Sequence, residues 1–305
     1  MTFSNPVEIE LEEGPAEGGE VYGGGNPWRL VMRTFLQNKL AVIGLAVIVL
    51  LVLFSFIGPL IYKTDQVSDN IIAANTAPNG AYPLGTDQSG FDILGRLMVG
   101  GQSSLEVGFA VGIVSTVVGL IYGAVSGYFG GWVDAILMRI VDVFLAIPIV
   151  LLFIFMSQAF HPTLLLLIAL LTAVSWIIPA RLVRGESLSL RSREYVQAVR
   201  GMGGGGWRII TRHLIPNTIG TIVVTVTFQI ANAILTLAVL QYLGFGLPPT
   251  TPTWGGMLEQ GTDYLQDGYW WQVYPALIII IITIVAFNFV GDALQDAFDV
   301  RLQEK

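Results

Sequence analysis

Uncharged runs dominate this sequence, and they are longer than any soluble surface accommodates. They cover residues 40–62, 107–133, 143–180, 214–258 and 268–291. A bilayer core takes about 20 apolar residues per helix, so the first, second and fifth runs each predict one membrane span. The third is too long for one helix and is expected to break at His161-Pro162. The fourth predicts a span ending near Gly244, followed by a loop with Gly246, Pro248, Pro249 and Pro252. The expected fold class is an all-α integral membrane protein with six transmembrane helices, at 39–62, 104–127, 135–159, 163–181, 217–243 and 273–291. Buried helices of a soluble protein would need a polar outer face that these runs lack. Only 12% of residues are charged, about half the usual ~25%. A soluble enzyme is thereby excluded, and so is a disordered chain.

Lys and Arg placement predicts the orientation. Arg29, Arg33 and Lys39 precede the first span. Arg181, Arg184, Arg191, Arg193, Arg200, Arg208 and Arg212 lie around the segment between spans 4 and 5, and Arg301 and Lys305 near the end. Six spans put all of them on one side, expected to be the cytoplasm, with both termini. The outer loops, 63–103 and 244–272, collect Asp65, Asp69, Asp87, Asp92, Glu259, Asp263 and Asp267. Tyr269, Trp270, Trp271 and Tyr274 are expected to form an interfacial belt before span 6. The net charge of -7 comes mostly from residues 1–25, a Gly-rich acidic tail with Glu8, Glu10, Glu12, Glu13, Glu17 and Glu20. It lacks the basic start of a secretory signal and reads as disordered and solvated. Residues 26–38 place Trp28, Val31, Met32 and Phe35 at helical spacing, with Arg29, Arg33 and Gln37 on another face. They predict an amphipathic elbow on the membrane surface.

Several chemistries are missing. There is no Cys, and the two His residues, His161 and His213, are far apart; no metal or thiol site is expected, and no catalytic residue. No Gly-Lys pair exists, so there is no phosphate-binding P-loop and no cofactor is expected in this chain. Gly201 to Gly206 matches Gly-x-G-x-x-Gly by letters alone, without a preceding strand. Charged residues sit at span ends: Asp134, Arg139 and Asp142 at the start of span 3, with an Arg139–Asp142 pair allowed by spacing, and Glu106 at the entry of span 2. An ion-coupled carrier is expected to carry an acid in mid-span or symmetrically broken helices, and neither is evident.

Two patterns remain. Gly119, Gly123 and Gly127 recur every fourth residue in span 2, a face that lets another helix backbone approach closely. The loop 182–216 is too long for a simple connection. Residues 194–200 are helix-compatible, Gly201 to Gly206 breaks them, and residues 207–214 resume before Pro216-Asn217. Two short helices just outside the bilayer would offer a docking surface for a soluble partner; a loop basic only for topology is the plainer alternative.

This loop resembles the coupling signature of ABC importer permeases: Glu-Ala-Ala, three residues, Gly, nine residues, then Ile-x-Leu-Pro. On this chain the signature falls on Gln197-Ala198-Val199, Gly203, His213, Ile215 and Pro216. Glu194-Tyr195-Val196, Arg208-Ile209-Ile210 and Arg212 to Asn217 resemble the dipeptide/oligopeptide branch. So do Asn38 to Leu45, Pro83-Leu84-Gly85-Thr86-Asp87, Gly127 to Asp134, Arg181-Leu182-Val183-Arg184 and Phe287 to Asp292. The ordered set spans about 26–302. Gln197 and Val199 depart from the signature, the run Gly203 to Gly206 replaces its usual turn, and Phe91 stands where the branch has Arg.

The resemblance implies a type I ABC importer permease fold with a cytoplasmic coupling-helix loop, in the cell (inner) membrane of a bacterium or archaeon. It implies an ATPase-coupling role for Glu194, Tyr195, Gln197, Ala198, Gly203, Arg208, Arg212 and Pro216. The implied partners are a second homologous permease, two ATPase subunits that use ATP and Mg, an external substrate-binding protein, membrane lipid and a peptide substrate; no nucleic acid is expected. The same machinery carrying nickel chelates, oligosaccharides or another small solute is the alternative, with a standalone channel or ion-coupled carrier behind it.

Overall fold

The computed structural model describes residues 27–159 and 163–303. Among them there is no β-strand, only one isolated bridge between Thr86 and Asp92. The acidic tail and the break expected at His161-Pro162 lie outside the described residues.

The chain enters through α1 (Pro27–Gln37). Pro27 suits its first position because that amide has no helical acceptor. Val31 and Phe35 are buried, while Trp28, Met32 and Leu36 are about half exposed. The buried side packs on the end of the last helix, with Trp28 edge-on to Phe298 at 6.1 Å. Asn38 then caps α2 (Lys39–Phe56), its Oδ1 accepting from the amides of Leu40 and Ala41 at 3.0 and 3.2 Å. A one-turn α3 (Gly58–Ile61) ends the first span.

At the centre lies α4 (Ile93–Phe129). Its 37 residues give about 55 Å at 1.5 Å per residue, well beyond a ~30 Å hydrocarbon core. It therefore starts before the second expected span, and the loop expected at 63–103 is shorter. The cause is local: Asp92 caps the helix by accepting from the Gly95 amide at 2.8 Å. The charge of Arg96, which interrupts the uncharged pattern, is paired with Asp87 at 3.3 Å, both side chains buried.

α5 (Gly131–Ala146) follows after a turn at Gly130, and α6 (Ile149–Ala159) after a break at Ile147-Pro148. Pro148 accounts for that break, because the residue before proline is pushed to extended backbone, as Ile147 is. α7 (Leu164–Ser175) and α8 (Ile177–Leu190) are separated by Trp176 alone, which keeps right-handed helical backbone. α9 (Glu194–Gly201), α10 (Gly206–Ile209), a π-turn at Ile210–Leu214 and α11 (Ile215–Asn217) make the basic loop. α12 (Ile219–Tyr242), α13 (Trp254–Leu265) and α14 (Tyr274–Gln303) complete the chain.

Among the described residues, five stretches are long and apolar enough to cross a membrane: 39–61, 93–129, 164–190, 219–242 and 270–299. The third expected span, 135–159, is divided between α5 and α6, each too short alone. The protein is a multi-pass, all-α membrane protein. Its bundle is wrapped around α4, which packs against α2, α7, α8 and α12, while α14 packs against α2 and α12. One end of the bundle carries the Arg-rich loop (the basic end); the other carries the 62–92 loop and α13.

At that opposite end the expected belt is only partly a belt. Trp270 is half exposed, but Trp271 is buried and donates from Nε1 to the Thr86 carbonyl at 3.1 Å. Gln272 Nε2 donates to Asn75 Oδ1 at 2.7 Å. Arg96 sits 4.3 Å from the centre of the Phe91 ring and donates to the Pro249 carbonyl at 3.4 Å. The 62–92 loop, the start of α4 and the 244–273 segment thus close into one body. Tyr62 donates to Asp92 at 2.8 Å; burial first, then the Asp92 carboxylate, push its hydroxyl up to about 12.

Candidate coupling site

The residues expected to couple lie together at the basic end. Glu194 stands in the first turn of α9 and Arg200 in the last, each at the end where the helix dipole favours its charge. Val196 is buried beneath the helix, whereas Glu194, Tyr195, Gln197 and Ala198 are exposed above it. Gln197 spends its amide on its own loop, donating to the Ser192 carbonyl at 3.1 Å.

After α9 the chain must reverse. Gly203 does so at φ +83° with open space where a Cβ would go, so its requirement is conformational, not steric. Gly206 differs: a Cβ there would come within 2.7 Å of the Tyr128 ring, at the end of α4. Tyr195, Met202 and Trp207 are exposed, as are Arg208 and Arg212. Ile209 of α10 and Ile210 and Leu214 of the π-turn are buried with Ala124, Val183 and Val196. A π-turn fits one extra residue into a helical turn. Arg212 stays exposed and Pro216 lies in the first turn of α11.

The loop is therefore fastened to two helices, α4 and α8. Gly119, Gly123 and Gly127 allow the fastening. A Cβ at Gly119 would lie 2.8 Å from the Trp176 carbonyl, at Gly123 2.8 Å from the Arg184 nitrogen, and at Gly127 2.7 Å from the Arg184 carbonyl. Polar contacts extend the joint to α5. Arg184 grips Asp134 with two bonds of 2.5 Å, and Ser126 donates to the same carboxylate at 2.5 Å. Hydrogen bonding from Arg184 first, and from Ser126, holds the Asp134 carboxyl below the usual carboxylate range, against the opposing effect of burial. Arg191 donates to the carbonyls of Gly127 and Tyr128 at 3.2 and 3.4 Å. Asp142 pairs with Arg181 of α8 at 2.5 Å, in place of the Arg139 partner that spacing allowed, because α8 runs alongside α5.

Arg184 and Asp134 were visible in the sequence as motif letters. Their pairing was not, since 50 residues separate them. Among the described residues no group of His, Cys, Asp or Glu could hold a metal ion.

Comparison with known proteins shows the family. Residues 116–304 match the family described as binding-protein-dependent transport system inner membrane component. Residues 26–78 match the N-terminal TM domain of oligopeptide transport permease C. The chain is 38% identical to the oligopeptide transport system permease protein OppC of Bacillus subtilis (strain 168), over 91% of this chain and 90% of that one. It is 36% identical to the dipeptide transport system permease protein DppC of the same organism, over 89% and 85%. With the OppC protein of Haemophilus influenzae it shares 33% identity over 98% and 94%.

Proposed function

The chain belongs to the binding-protein-dependent transport system inner membrane components, and from that membership we propose that it is a permease subunit of an ATP-driven ABC importer, forming half of the path for di- and oligopeptides. The named relatives transport oligopeptides or dipeptides, which supports peptide cargo. In this reading the chain is a conduit and not an enzyme, and it binds no cofactor. ATP and Mg act on two ATPase subunits, a second permease completes the path, and an external protein delivers the peptide. The basic end faces the cytoplasm and the 62–92 loop faces outward, in the cell membrane of a bacterium or archaeon.

The observation that carries the reading is the exposed pair α9–α10, whose buried side is fixed to α4 and α8. A loop that merely satisfied topology would need no such anchoring. Fixed this way, it passes a push from a docked ATPase into two spans as a rigid-body movement. The nucleotide state shifts the permease only as far as its contacts differ between two conformations. Purification from native membranes tests this: an ATPase pair and a second permease should accompany the chain, and peptide should stimulate their ATP hydrolysis. Recovery of the chain alone, after controls for detergent loss, would overturn it.

A further inference from the structure

Between α8, α12 and the end of α14, near the basic end, lies a cavity of about 530 Å³. Its walls are mixed. Glu186, Thr221, Thr225 and Gln295 contribute polar groups, and Val224 and Phe228 apolar ones. Toward the middle of the bundle the gap between α12 and the α7–α8 stretch is closed by Gln229, whose Nε2 donates to the Ser175 carbonyl at 2.7 Å. Lower down, one bond crosses it: Thr221 Oγ1 donates to Glu186 Oε1 at 2.6 Å. The other carboxylate oxygen, Glu186 Oε2, is buried with no hydrogen-bond partner among the described residues. Arg193 and Asp299 also line the cavity, and among the described residues Arg193 makes no ion pair with Glu186.

A buried carboxylate oxygen without donors is costly, so whatever enters gains most by bringing a charged N–H. The walls suit the rest of a small polar solute: hydroxyl and amide groups for backbone amides, and apolar surface for a side chain. We propose that this cavity is an amine-recognising subsite of the translocation path, in which Glu186 receives the α-ammonium of a passing peptide. This rests on the importer reading and names a specificity residue within it.

The chain contains no Cys, so Val224→Cys places one thiol on this subunit in the cavity wall, and Ser189→Cys supplies a second site should the first disturb assembly. The assembled permease–ATPase complex, in lipid nanodiscs without its binding protein, would be alkylated in the presence of Ala-Ala or N-acetyl-Ala-Ala. Labelling of this chain would be read by mass spectrometry. Ala-Ala should slow labelling and the acetylated peptide should not. Glu186→Gln should raise the half-protecting Ala-Ala concentration by about tenfold, as loss of one charge-assisted hydrogen bond implies, with Glu186→Asp intermediate. Equal protection by both peptides, or none by either, would overturn the subsite. So would a thiol that reacts in the isolated chain but not in the complex, because a partner would then fill the cavity. ATP-driven peptide uptake by the same complex supplied with binding protein judges the importer reading separately.

Discussion

Single residues carry two charged joints of different character. Arg96 and Asp87 are both buried, so Arg96→Ala leaves a lone carboxylate in a dry place. A loss of roughly 3–5 kcal/mol is expected, read as an early, broadened thermal transition of the purified protein. The Asp134–Arg184 joint is more accessible, and solvent screening lowers its worth; Arg184→Ala should cost about 1–2 kcal/mol. This joint also has a pH signature. Because hydrogen bonding depresses the folded pKa of Asp134, its contribution is present above the ordinary carboxylate value near 3.9 and is lost as pH falls through the folded value. The difference in melting temperature between the native chain and Asp134→Asn should hold steady from pH 7 to 5 and shrink below about pH 4. A difference that grows in acid would contradict the assignment. Composition could not reveal these pairs. Arg96 and Asp134 interrupt or flank uncharged runs, and a span count treats them as boundaries, although Arg96 lies inside a helix with its charge met by a loop residue.

Between elements, the backbone contact of α4 with α8 and the turn from α9 to α10 are, on the proposed reading, what would make the loop move with the spans. Gly123→Leu should wedge α4 from α8 and abolish recovery of monodisperse protein, since the Cβ alone already collides with α8 backbone. Gly203 makes a subtler prediction. Its φ is left-handed but its surroundings are open, so Gly203→Val strains the turn by about 1–2 kcal/mol, whereas Gly203→Asn is tolerated. The Val variant should hydrolyse ATP with peptide uptake reduced several-fold, and the Asn variant should retain both; equal uptake by the two would remove the turn from the coupling path. At this scale the sequence is read well where periodicity or spacing is local. The elbow, the Gly119–Gly123–Gly127 stripe and the helix–turn–helix form of residues 194–214 are examples. It is read poorly where tertiary contacts decide the outcome: the burial of Trp271 against Thr86 and the π-turn at 210–214 packed on α4 and α8 depend on neighbours distant in sequence.

For the whole molecule, one body at the basic end joins the exposed α9–α10 pair to α4, α5 and α8, and another at the opposite end locks the 62–92 loop to α13 and Trp271. On the proposed reading, a subunit built this way would pass movement from one end to the other. The direct measurement is ATP dependence of peptide release from proteoliposomes holding the complete complex, with binding protein and peptide inside and the α9–α10 side facing the ATP-containing medium. Peptide should move toward the α9–α10 side only while ATP is hydrolysed, and export from the lumen should stop when a non-hydrolysable analogue replaces ATP. Movement that continues without ATP and follows an imposed proton or sodium gradient would contradict the account.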